Sequence, residues 1–143
     1  MNISAPGKIT DRITLLGRTE SNIYLVEGRK ESAVLGGGMA YIAPDVHRQL
    51  NDFGVDERKI THIIIHHAHF DHVGLVPCLR RRWPWAAVHA SARAGELLSA
   101  PKVVDSVIAY NQALLRQYAP DFPTDDANLN PAEIGRASCR ERV

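Results

Sequence analysis

One short stretch constrains this chain more than any other. Residues Ile60-Thr61-His62-Ile63-Ile64-Ile65 form an apolar, β-branched run, and His66-His67-Ala68-His69-Phe70-Asp71-His72 follows at once. The run reads as a buried strand. Val73-Gly74-Leu75-Val76-Pro77-Cys78-Leu79 reads as the start of a helix. The polar cluster therefore sits at the C-terminal end of a strand, where the chain turns into a helix. Open α/β sheets place their ligands at such ends. Residues i and i+2 of an extended segment point the same way, so His67 and His69 reach one ion together. Asp71 and His72 follow as the chain turns and aim at a neighbouring position. Imidazole and carboxylate are metal ligands, and this spacing supports two metal positions side by side. A polar loop rich in histidine but without an ion gives no reason for the spacing.

The pattern His67-x-His69-x-Asp71-His72 resembles the signature of the metallo-β-lactamase superfamily. The resemblance implies that His67 and His69 bind a first metal, and that Asp71 and His72 bind a second. It implies one or two Zn²⁺ ions and a hydrolase acting on a small-molecule ester, thioester, lactone, lactam or phosphoester. Asp71 would be catalytic as well as a ligand, orienting the nucleophile and handling its proton. A mononuclear iron oxidoreductase acting on persulfides is the alternative implied by the same motif. A non-catalytic fragment is the third reading.

The remaining segments fit that fold. Ile9 to Leu16, Ser21 to Val26 and Glu31 to Leu35 read as an antiparallel opening. Gly36-Gly37-Gly38 is read as a turn, because it lacks the spacing and the lysine of a phosphate loop. The family's usual Asp is absent between Leu35 and Gly36. Pro44-Asp45 opens a helix that Gly54 ends. Ala86 to Ala90 is the next strand. Ser91 caps a helix near Arg93 to Leu98, and Pro101 opens a longer one reaching Tyr118. The expected fold class is α/β (α+β): the N-terminal half of an αββα metallo-β-lactamase sandwich, a mixed sheet with outer helices.

Other features have plainer readings. His66 is expected to be packed or to support a ligand, His62 to be structural, His89 to be core or surface, and His47 to lie on a helix surface. Arg80-Arg81-Arg82 with Trp83 and Trp85 reads as a helix C-terminus stopped by Pro84, not as a nucleic-acid site. The net charge of +1 gives no general attraction to nucleic acid or to anionic lipid. There is no long apolar run and no secretory pattern at the start, and the two cysteines, Cys78 and Cys139, make no disulfide framework. A cytoplasmic protein is expected.

The domain is expected to span 1–132 and to be truncated. Residues 133–143 carry no period and resemble a translated sequencing adapter; they are expected to be a non-native tail. The family also supplies a third His to the first metal, a bridging Asp and a last His. After His89 this sequence has no histidine, and Asp105, Asp121, Asp125 and Asp126 stand in no matching context. Each metal would have two protein ligands, against the three of a catalytic zinc site. Weak zinc binding and no turnover are expected of this chain.

Overall fold

The structure, a computed structural model, describes residues 5–122, 129–132 and 134. Six strands form one mixed sheet: β1 (Gly7–Lys8), β2 (Ile13–Gly17), β3 (Asn22–Glu27), β4 (Ser32–Leu35), β5 (Ile60–Ile64) and β6 (Ala87–His89), in spatial order of sequence. The first four pair antiparallel, whereas β4–β5 and β5–β6 are parallel. The expected first strand is split in two. The Thr10 hydroxyl accepts the amides of Arg12 (3.2 Å) and Ile13 (3.1 Å), a local turn that removes residues 9–12 from the ladder.

The α-helices among residues 5–122 are α1 (Ala43–Asp52), α2 (Phe70–Val73), α3 (Val76–Arg82), α4 (Ala92–Ser99) and α5 (Pro101–Tyr118). Their ends follow the sequence cues. Gly54 takes a φ of 62° just past α1, and Val55 N–H bonds back to the Leu50 carbonyl. The Ser91 hydroxyl accepts the Ala94 amide at 3.1 Å.

Side-chain alternation gives the sheet two unlike faces. Leu16, Ile23, Leu25, Val34, Ile63 and Val88 are buried and share one face by register. Val46 and Leu50 of α1, Leu79 of α3, Leu98 of α4 and Leu115 of α5 join them in one core. Leu129 and Ile134 also pack into this core. The opposite face carries Tyr24, Val26, Ala33, Leu35, Ile64 and Ala87, all partly or fully exposed. No helix among the described residues is long and apolar enough to cross a membrane. Residues 133 and 135–143, most of the segment expected to be non-native, lie outside the described residues.

The basic run forms the last turn of α3, and its end and the aromatic residues after it are tied into the fold. Arg82 holds Glu57 with two donors, Nη2 reaching Oε2 at 3.0 Å, and the Trp83 indole donates to Glu57 at 2.9 Å. The Trp85 indole donates to the Ile60 carbonyl at 3.0 Å, tying the run to the start of β5. The Arg82 and Trp83 donors hold the Glu57 carboxyl below its ordinary pKa. A depressed carboxylate stabilises the fold above its unfolded pKa, and that contribution fades as the pH falls through the depressed value. Glu57→Gln should therefore lower stability by about 1–2 kcal/mol at pH 7, with the gap from wild type shrinking towards pH 3. Urea titrations at the two pH values measure it; a gap unchanged by pH would refute the charge-based account.

Candidate metal centre

Strands β4, β5 and β6 run parallel, so the loops that follow them meet at one edge of the sheet. Gly36–Gly38 follows β4, the histidine cluster follows β5, and Ala90-Ser91 follows β6. Hydrogen bonds hold the edge together: Gly36 N–H donates to the Ile64 carbonyl and Ile65 N–H to the His89 carbonyl, each at 2.8 Å. The chain leaves the sheet after Ile64, and His69, just before α2, has an extended backbone at φ −69°, ψ 147°. Asp71 and His72 then fall in the first turn of that helix.

This backbone gathers the four residues singled out above. The His67 and His69 rings lie 4.7 Å apart, centroid to centroid, as expected of an i, i+2 pair in extended chain. The turn into α2 brings the His72 ring nearer still, 4.0 Å from that of His67. Asp71 Oδ2 lies 3.4 Å from His72 Nε2. Burial and the neighbouring imidazoles of His72 and His69 push the His67 pKa down, which favours the neutral, ligating form at neutral pH. The donors are thus nitrogen and carboxylate oxygen, partly exposed, a chemistry that suits zinc. The set is open: among the described residues no group of three or more His, Cys, Asp or Glu is placed to hold an ion together.

The other histidines fall elsewhere. His66 is exposed rather than packed, because the chain leaves the sheet at Ile65. His62 Nδ1 and His89 Nε2 lie 2.9 Å apart on the partly exposed sheet face, and His62 Nε2 is 3.6 Å from Glu31. His47, expected on the surface, is half-buried with Nε2 3.7 Å from the buried Cys78 sulfur; burial lowers its pKa. Asp105 and Asp121 are exposed, while Asp125 and Asp126 lie outside the described residues.

A model of the metallo-beta-lactamase superfamily matches residues 16–142. The chain belongs to that superfamily. It is 29% identical over 102 residues to the uncharacterised protein YobT of Bacillus subtilis, a match covering 71% of this chain and 38% of YobT. Among solved structures, a variant metallo-beta-lactamase from Cronobacter sakazakii aligns with a TM-score of 0.59 at 27% identity, over 66% of this chain and 37% of that one. The metallo-beta-lactamase MIM-1 from Novosphingobium pentaromativorans aligns with a TM-score of 0.60 at 25% identity, over 66% and 34%. The chain thus spans little more than a third of the length of these relatives. The superfamily's metal-dependent, hydrolase-like fold accords with the mixed sheet and with the position of the cluster.

Two parts of this edge have no mark in the sequence motif. Asn111 of α5, fully buried, accepts the Ala40 amide at 2.8 Å and donates to the Phe70 carbonyl at 3.2 Å, so it ties α5 to the start of α2. The triple glycine is a docking surface more than a turn. Gly37 and Gly38 carbonyls accept the amides of Leu75 (2.8 Å) and Gly74 (2.9 Å), directly behind Asp71 and His72.

Proposed function

We propose that this chain carries the metal-binding half of a zinc-dependent hydrolase centre. The observation that supports it most is the gathering of His67, His69, His72 and Asp71 at the C-terminal end of β5, the middle strand of the three parallel ones. His67 and His69 would hold one ion, and Asp71 with His72 a second. Zinc, when bound, acts as a Lewis acid and brings the pKa of water down to about 7. With zinc bound, Asp71 would orient a water and accept its proton; its carboxylate stands beside His72 at the opening of α2. The partly exposed His67, His69 and His72 leave the centre open to a small-molecule ester, thioester, lactone, lactam or phosphoester.

Two protein ligands per ion make a weak site. Zinc affinity is expected to fall well short of the ~10 kcal/mol or more of four-ligand structural sites, and generic ester hydrolysis by this chain is expected to stay at background. Calorimetric zinc titration of the wild-type chain and of His67→Ala tests the reading. Weak binding that His67→Ala reduces supports it. Tight stoichiometric binding would overturn the half-site, and equal binding by both proteins would overturn the assignment of His67.

A further inference from the structure

Beside the cluster a cleft of about 320 Å³ opens between the start of α2 and one face of α5. The chain before α2 contributes His69, one of the metal ligands proposed above, and α2 itself contributes Phe70. Helix α5 contributes Lys102, Ser106 and Tyr110, spaced i, i+4, i+8 and so aligned on one side, with Val103 beneath. The Phe70 and Tyr110 rings stack at 4.8 Å and 24°, forming a continuous aromatic wall. That wall stays open to solvent: Tyr110 is 58% exposed although its ring is held in place.

The polar groups of the cleft differ in kind. The Ser106 hydroxyl donates to the Lys102 carbonyl at 2.9 Å, so its proton is already engaged. The Lys102 ammonium makes no ion pair among the described residues, and it leaves one unspent cation in a mostly apolar cleft. Cavities of this size lie at the small end of ligand pockets, with room for one ring or a short acyl chain. We propose that the cleft binds the non-reacting part of the substrate: a compact aromatic or acyl group carrying an anionic substituent. Phe70 and Tyr110 take the apolar body, Lys102 takes the anion, and His69 places the reacting end at the metal centre. As an account of substrate choice this rests on the hydrolase reading above; as an account of binding it does not.

Phenylacetate is a suitable probe, with phenylacetamide as its uncharged counterpart. Both are titrated into the 143-residue chain, with chelator present, and followed by ¹H–¹⁵N NMR. Phenylacetate should shift the amides of residues 69–70 and 102–110. Lys102→Met should weaken phenylacetate on the order of fivefold while leaving phenylacetamide unchanged. Tyr110→Ala should weaken both. Shifts confined to other residues, or a Lys102→Met variant that binds phenylacetate as well as wild type, would overturn the proposal. Because the titration contains no zinc, its failure is separate from failure of the zinc titration: either reading can fall while the other stands.

Discussion

Replacing Gly37 by alanine should cost about 3 kcal/mol or more of stability and weaken zinc binding at the position proposed for Asp71 and His72. A Cβ at this position would collide with the His72 carbonyl oxygen and lie 2.5 Å from Val76 Cγ2 and 3.1 Å from Val73 Cα. The first and third of these neighbours are backbone, which cannot swing aside. The glycine loop and the helix start would have to separate. That would stretch the bonds from the Leu75 and Gly74 amides to the Gly37 and Gly38 carbonyls, in a region where all four residues are buried. Overpacking of about 1–3 kcal/mol and a buried, unsatisfied amide of about 1–3 kcal/mol add in the same direction. Gly54→Ala is the control. Gly54 has a φ of 62° but nothing within 4 Å of its would-be Cβ, so it carries only the left-handed backbone penalty of about 1–2 kcal/mol. Urea unfolding of both variants decides the matter. If Gly37→Ala is no less stable than Gly54→Ala, close backbone approach is not what Gly37 provides. The weaker zinc binding follows because the segment displaced carries Asp71 and His72, while His67 and His69 precede it.

This pair of glycines also shows where sequence legibility ends. The break in the chain at Gly36–Gly38 and the helix stop at Gly54 are readable, because both rest on local backbone preferences. The strand of Ile60–Ile64, the i, i+2 pairing of His67 with His69, the cap at Ser91 and the start of α5 at Pro101 were readable for the same reason. Gly37 against His72 is a contact across 35 residues, and no periodicity records it. The split of the first strand is a turn closed by the Ile9 and Thr10 amides on the Ile13 carbonyl and by the Thr10 hydroxyl, which composition does not reveal. His47 was misplaced on the surface because its helix is amphipathic, whereas its burial depends on where α3 sets Cys78. The motif names the candidate ligands; the contacts that hold its backbone come from segments that carry no signature.

Asn111 is the other such contact, and its substitution should have the second large effect. Its side-chain oxygen accepts the Ala40 amide at 2.8 Å, and its amide nitrogen donates to the Phe70 carbonyl at 3.2 Å and the Val107 carbonyl at 3.0 Å. Gly74 leaves room for it, since a Cβ there would run into the Asn111 carboxamide. Asn111→Leu keeps the volume but orphans the buried Ala40 amide and the bond to Phe70, so a loss of about 2–4 kcal/mol is expected. Asn111→Asp keeps the acceptor but turns the donor into a second anionic oxygen facing two carbonyls. Burial and those carbonyls would raise the pKa of the new carboxyl, so the protonated form, which restores a donor, is favoured in the folded state. The stability gap between Asn111→Asp and wild type should then be widest at pH 7 and narrow as the pH falls towards 4. The Asn111→Leu gap should stay flat over the same range. Denaturant midpoints of the three proteins across pH 4–7 provide the readout. Parallel pH profiles for the two variants would mean that Asn111 fills space and that its hydrogen bonds do not hold the start of α2.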